Sequence, residues 1–270
     1  MNTPAWSCHS RDQQRRSRLL GVLGVLGLLG LGTTPGLAAP FAYIPNTENN
    51  TVSVFDTATN SVTARVPVGE VPLSVGVHPR GTFAYVGNFL SNTASVINTA
   101  TNRVTATVPV GVYPFGVAVH PAGTFVYVAN FYSDTVSVID TTTNTVKATV
   151  PVGQAPFGLA MHPAGTVVYV ANTYSRAIPP GKSRTDGSIS VIDTATNTVT
   201  ATVPVGNAPH SVAVHPTGTF VYAVNFGSNT VSVIDTATHT VKATTRVGEG
   251  PVAFGQFISS ASLEKRNIKP

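Results

Sequence analysis

The chain has 270 residues, 42% hydrophobic and only 10% charged, with 24 Gly, 20 Pro, one Cys and a formal net charge of +5. Average domains carry roughly 25% charged residues, so this is neither a solvating disordered tail nor a coiled coil rich in Glu, Lys and Leu. The single Cys excludes a disulfide framework and a Cys-based zinc site, and a β-rich globular protein able to bury one sizeable core remains.

At the N-terminus, Arg11, Arg15, Arg16 and Arg18 precede the apolar run Leu19–Gly32 and the small residues Gly36 and Ala38. This layout predicts a secretory signal peptide over residues 1–38, cleaved after Ala38. The apolar run is too short for a membrane-spanning helix, which needs ~20 residues. Its removal takes away Trp6 and Cys8 and leaves 12 Lys and Arg against 10 Asp and Glu. The basic balance therefore belongs largely to the signal, and no nucleic-acid partner is expected. The mature chain is expected to be secreted, periplasmic or at the cell surface, without a transmembrane segment.

From Phe41 onward one unit recurs. FAYIPN (41–46), FAYVGN (83–88), FVYVAN (125–130), VVYVAN (167–172) and FVYAVN (220–225) place tyrosines at 43, 85, 127, 169 and 222, with spacings of 42, 42, 42 and 53. The longer spacing holds an insertion over 175–187. The units beginning at Phe83 and Phe125 agree at 29 of 42 positions. Each unit predicts four strands, seen in the second as Phe83–Gly87, Ala94–Ile97, Val104–Val108 and Phe115–Val119, rich in β-branched and aromatic residues. Polar turns such as Asn98–Asn102 and His120–Thr124 separate them. Four short antiparallel strands per ~40–45 residues, repeated, predict a β-propeller.

The expected fold is all-β, with five four-stranded blades over residues 39–259 and repeats starting near 41, 83, 125, 167 and 220. The run Pro251–Ile258 aligns with the inner strand at Pro209–His215. It is expected to complete the first blade beside residues 41–68, which would close the ring and remove its exposed edges. Residues 260–270 read as a polar tail. Packed blade faces leave little room for ions, which accounts for the low charge content.

The motifs Tyr127-Val-Ala-Asn130, Thr135-Val-Ser-Val-Ile-Asp140, Thr149-Val-Pro-Val-Gly153 and Pro156-Phe-Gly-Leu-Ala160 resemble those of the YVTN family of β-propeller repeat proteins. The resemblance covers residues 41–258. It implies a propeller fold, export, and a binding or scaffolding role, without implying one reaction. Similar propellers serve as lactonases, lyases and electron-transfer modules.

Residues common to all repeats serve the blade, so a unique site is sought where the repeats differ. His78, His120, His162 and His215 all precede Pro in one turn and read as turn caps. Asp56, Asp140, Asp193 and Asp235, with Asn98, read as hairpin acceptors, and Asn46, Asn88, Asn130, Asn172 and Asn225 as loop caps. The varying positions after the repeated Pro are Leu73, Phe115, Phe157, His210 and Val252. Propeller geometry places around them Phe89, Leu90, Tyr113, Phe131, Tyr132, Tyr174 and Phe226, an aromatic mouth at one end of the channel. Arg176, with Lys182 and Arg184, lies on the insertion over the same face. The expected ligand is a protein, glycan or small molecule held by a monomer, with no cofactor and no catalytic residue.

An alternative uses the acids that fall outside the repeat pattern. Glu48, Glu70 and Glu249, near His210, would hold a divalent cation for a lactonase-type hydrolase or lyase. No G-x-S-x-G elbow, H-E-x-x-H, phosphate loop or haem-attachment Cys pair is present.

Overall fold

A computed structural model describes residues 41–173, 187–253, 255, 257 and 258. The signal segment, the tail and most of the insertion, with Tyr174 and Arg176, lie outside the described residues.

The first sheet has three strands, β1 (Phe41–Asn46), β2 (Thr51–Asp56) and β3 (Ser61–Pro67). The second is β4 (Pro72–Val77), β5 (Phe83–Asn88), β6 (Thr93–Asn98) and β7 (Arg103–Pro109). The third is β8 (Pro114–Val119), β9 (Phe125–Asn130), β10 (Thr135–Asp140) and β11 (Thr145–Pro151). The fourth is β12 (Pro156–Met161), β13 (Val167–Asn172), β14 (Ser188–Asp193) and β15 (Thr198–Pro204). The fifth is β16 (Pro209–Val214), β17 (Phe220–Asn225), β18 (Thr230–Asp235) and β19 (Thr240–Arg246). All neighbours pair antiparallel, so each sheet is a meander of the expected kind.

Period-2 alternation gives the central strands of the second, third and fourth sheets two buried faces. In β9, Tyr127 and the flanking Val126 and Val128 are all 0% exposed. Tyr127, Val136, Val138 and Val150 of the third sheet pack on Val168, Val170 and Ile192 of the fourth. The same positions repeat between the first and second, second and third, and fourth and fifth sheets. The core is therefore four equivalent layers between blades. One β-bulge recurs between the two outer strands of each sheet, as at Val138/Ile139, and adds local twist.

The turn before each Tyr-bearing strand does more than cap itself. His78 Nε2 meets the Gly123 carbonyl of the next blade at 3.1 Å, His120 Nε2 that of Gly165 at 2.9 Å, and His162 Nε2 that of Gly218 at 3.0 Å. Each Nδ1 accepts a backbone N–H two residues on, as from Arg80 to His78, so Nε2 carries the proton and donates. The facing glycine has a left-handed φ, 75° at Gly123. The histidines thus clamp one blade to the next. The aspartates behave as expected: Asp140 Oδ1 accepts the amide N–H groups of Thr142 and Thr143.

Ring closure departs from the expectation. Among the described residues of 251–258 no strand forms, and the first sheet stays three-stranded. The physical reason lies in β1, which carries Pro45 where β5, β9, β13 and β17 carry Gly87, Ala129, Ala171 and Val224. Proline offers no ladder donor and is confined to edges. Ala253 and Gly255 still lie near where an inner strand would, since they line the same cavity as Pro45 and β16. Outer strands β3, β7, β11, β15 and β19 pack side by side in that order, but among the described residues no substantial packing joins β16–β19 to β1–β3. Ile44 and Val62 are accordingly 49% and 45% exposed, and every residue of β19 is exposed.

Candidate functional site

The inner strands β4, β8, β12 and β16 stand side by side around a central cavity. Two glycines permit this approach. A Cβ on Gly116 would lie 2.5 Å from the Phe157 carbonyl oxygen, and one on Gly158 would lie 2.6 Å from that of His210. The bulges Pro114/Val117 and Pro156/Leu159 fall at the same level, and there the side chains of Phe115, Phe157 and His210 leave the strand regularity.

Those side chains meet in a continuous array. Phe157 stacks on His210 with ring centroids 4.7 Å apart, and His210 on Phe226 at 4.6 Å. Phe115 and Phe157 are 3.6 Å apart and tilted by 32°, with Phe131 edge-on to Phe157 at 6.1 Å. Phe89 stacks on Tyr113 at 4.6 Å and meets Phe115 edge-on, while Tyr132 meets Tyr113 at 5.7 Å. The structure therefore brings together Phe89, Tyr113, Phe115, Phe131, Tyr132, Phe157, His210 and Phe226, and Leu73 joins them on the cavity wall. Tyr132 is the outer member, 58% exposed.

The loops under these rings are tied by the backbone. Phe131 N–H donates to the Tyr113 carbonyl at 2.9 Å, and Tyr113 N–H to Asn92 Oδ1 at 2.9 Å. Tyr113 sits at φ 57°, a left-handed conformation that an aromatic residue seldom adopts. Val71, Ala155 and Ala208, each before the repeated Pro, share it. Such strain persists where the surroundings over-determine it and gathers at functional sites.

Electrostatically the array is quiet. Burial pushes the His210 imidazole below its ordinary value, because desolvation disfavours the charged ring. The acids expected alongside do not gather there. Glu48, Glu70 and Glu249 are exposed on separate loops, and among the described residues no group of three or more His, Cys, Asp or Glu is placed to hold a metal ion. The proposed cation set of Glu48, Glu70, Glu249 and His210 is thus not assembled. The reason is that these carboxylates sit at loop tips in water, whereas His210 leaves a packed inner strand.

With the blades and the array in view, the likenesses to known proteins take their place. A family model described as "Lactonase, 7-bladed beta-propeller" matches residues 140–253. Among solved structures, Kuenenia stuttgartiensis hydrazine synthase is similar at a TM-score of 0.58 and 18% sequence identity, over 83% of this chain and 91% of that one. The chain is a β-propeller protein. No curated protein matches it. Among the described residues of the propeller, no helix is long and apolar enough to cross a membrane.

Sequence reasoning found the aromatic face by asking where repeats differ. It missed the clamps from His to the next blade, although His and Gly recurring together at the repeat spacing carried that signal. It also missed the left-handed residue before the repeated Pro, for which Gly250 at the same repeat position, φ 58°, was the one sign.

Proposed function

We propose that this propeller, built of YVTN-type repeats, is an exported binding module that holds its ligand on the aromatic face around the central channel. The observation that carries the reading is the array running from Tyr132 through Phe157 to Phe226. The rings gather on one loop face while Tyr132 stays 58% exposed, and apolar surface rimmed by polar loops marks binding sites. Export is supported by the arginines and apolar run of residues 1–38. Arrays of glycans, peptides and small molecules probed with the wild type and with a Phe115→Ala/Phe157→Ala variant test the reading. The wild type should retain a ligand that the variant, still folded by circular dichroism, loses. Identical binding profiles would overturn it.

A second reading, lactone hydrolysis, is favoured by the family-model match over residues 140–253. Turnover of γ- and δ-lactones by the purified protein, with and without added divalent cations, tests it. Rates equal to the buffer's would exclude it.

A further inference from the structure

The channel beneath the array is a cavity of about 480 Å³, within the 300–1,000 Å³ typical of small-molecule sites. Leu73 and Val75 of β4, Val117 of β8, Leu159 of β12 and Val212 of β16 form its wall. Pro45 of β1, Ala253 and Gly255 line the remaining side. Every described lining residue is a Pro, Leu, Ser, Val, Phe, Gly or Ala. Among the described residues no ionisable side chain lines the space, so a charge placed there would be desolvated without a counter-ion from this wall.

Polar side-chain groups are two hydroxyls. Ser211 Oγ already accepts the Ala253 N–H at 3.4 Å. Ser74 Oγ is buried without a hydrogen-bond partner among the described residues, beside Gly87, whose added Cβ it would meet at 2.9 Å. Phe115 and Phe157 belong to both the cavity wall and the array, so a molecule in the channel lies against ring surface. The imidazole of the array, His210, stacks between Phe157 and Phe226 and is driven toward its neutral form by burial.

We propose that this cavity binds a neutral, largely apolar small molecule carrying at most one or two hydrogen-bonding groups, seated beneath Phe115 and Phe157. A saccharide brings a ring of hydroxyls for which the wall offers two partners, and each unmatched one would lose its water for nothing. A carboxylate or sulfonate would find no cation among the described lining residues. The assignment rests on the reading of the aromatic face as a binding face, and it narrows the ligand to one chemical class.

Two fluorescent probes that differ by a sulfonate isolate the charge: neutral N-phenyl-1-naphthylamine and anionic 1-anilinonaphthalene-8-sulfonate. Titrated into the full chain, the neutral probe should show saturable, blue-shifted emission with one site, and the anionic probe should bind at least tenfold more weakly. Leu73→Asp should weaken the neutral probe at least tenfold, and Val241→Asp, on the outer strand of the fifth blade, should leave it unchanged. Should Leu73→Asp fail to fold, Ala253→Asp on the opposite wall takes its place. Absence of saturable binding by the neutral probe, equal binding of both probes, or full binding by the folded wall variant would each overturn the proposal. If the array experiment finds a ligand lost in the Phe115/Phe157 variant while the neutral probe does not bind, the cavity assignment alone falls. If both fail, the binding face falls with it.

Discussion

Phe157 and His210 stack with their planes 15° apart and their centroids 4.7 Å apart, which ties inner strand β12 of the fourth sheet to β16 of the fifth by ring contact. The stack also helps bury the imidazole, and burial disfavours its charged form. Burial lowers the folded-state value below the ordinary 6.5, while the unfolded chain keeps the latter. Between the two values the unfolded state binds more protons, so stability rises with pH in that window and falls on acidification. Above 6.5 the ring contributes no pH dependence. Urea melts from pH 7.5 downward should show a loss beginning near pH 6.5 that a His210→Phe variant lacks. An unchanged profile in the variant would show that the imidazole does not titrate differently on folding.

The blade clamps give a comparison internal to one sequence. His162 donates to the Gly218 carbonyl of the next blade, whereas His215 keeps only local bonds to Thr217 among the described residues. Both alanine variants lose the turn cap, and only His162→Ala loses a bond across blades. A net hydrogen bond of this kind contributes ~1 kcal/mol. Chemical denaturation should therefore place His162→Ala about 1 kcal/mol below His215→Ala. Equal losses would mean that the cross-blade bond adds nothing.

Much of this molecule can be read from its repeats. Tyrosines spaced by 42 residues set the blades, and the five Tyr-bearing strands begin where the sequence indicates. The aromatic face was legible because Phe115, Phe157 and His210 break the repeat at one position. The closing strand was not, because the alignment of Pro251 with Pro209 reports likeness of the added strand and says nothing of its partner. Pro45 in that partner removes a ladder donor, a feature of one residue that repeat counting averages away. The acids misled for a related reason: a position that differs between repeats can be functional or merely solvated, and burial, absent from the sequence, separates the two.

The close approach of inner strands is a packing constraint with a sharp outcome. A Cβ at Gly158 would press within 2.6 Å of the His210 carbonyl oxygen, which is backbone and cannot swing aside. Gly158→Ala should cost ~1–3 kcal/mol, as overpacking does, and weaken ligand binding by parting Phe157 from His210. At Gly248 an added Cβ meets nothing within 4 Å, so Gly248→Ala serves as the control. Thermal melts of the pair check this, and a Gly158→Ala protein as stable as the control would contradict the packing.

The gap between the fifth sheet and the first is the most consequential departure from the expected ring. Ile44 and Val86 occupy the same place in their repeats, yet Ile44 is 49% exposed and Val86 is 0% exposed. Val86 is covered by Tyr43, Val54 and their neighbours in the preceding blade; Ile44 has no such blade before it. A lysine at Val86 strands a charge between two sheets and should cost on the order of 3–5 kcal/mol, the range seen when a buried charge is left unpaired. A lysine at Ile44 lets its ammonium reach water and should stay within about 1 kcal/mol of the wild type. Urea denaturation of Val86→Lys and Ile44→Lys measures the difference directly. If the two substitutions prove equally damaging, the first and fifth blades meet in solution, and the seam is closed.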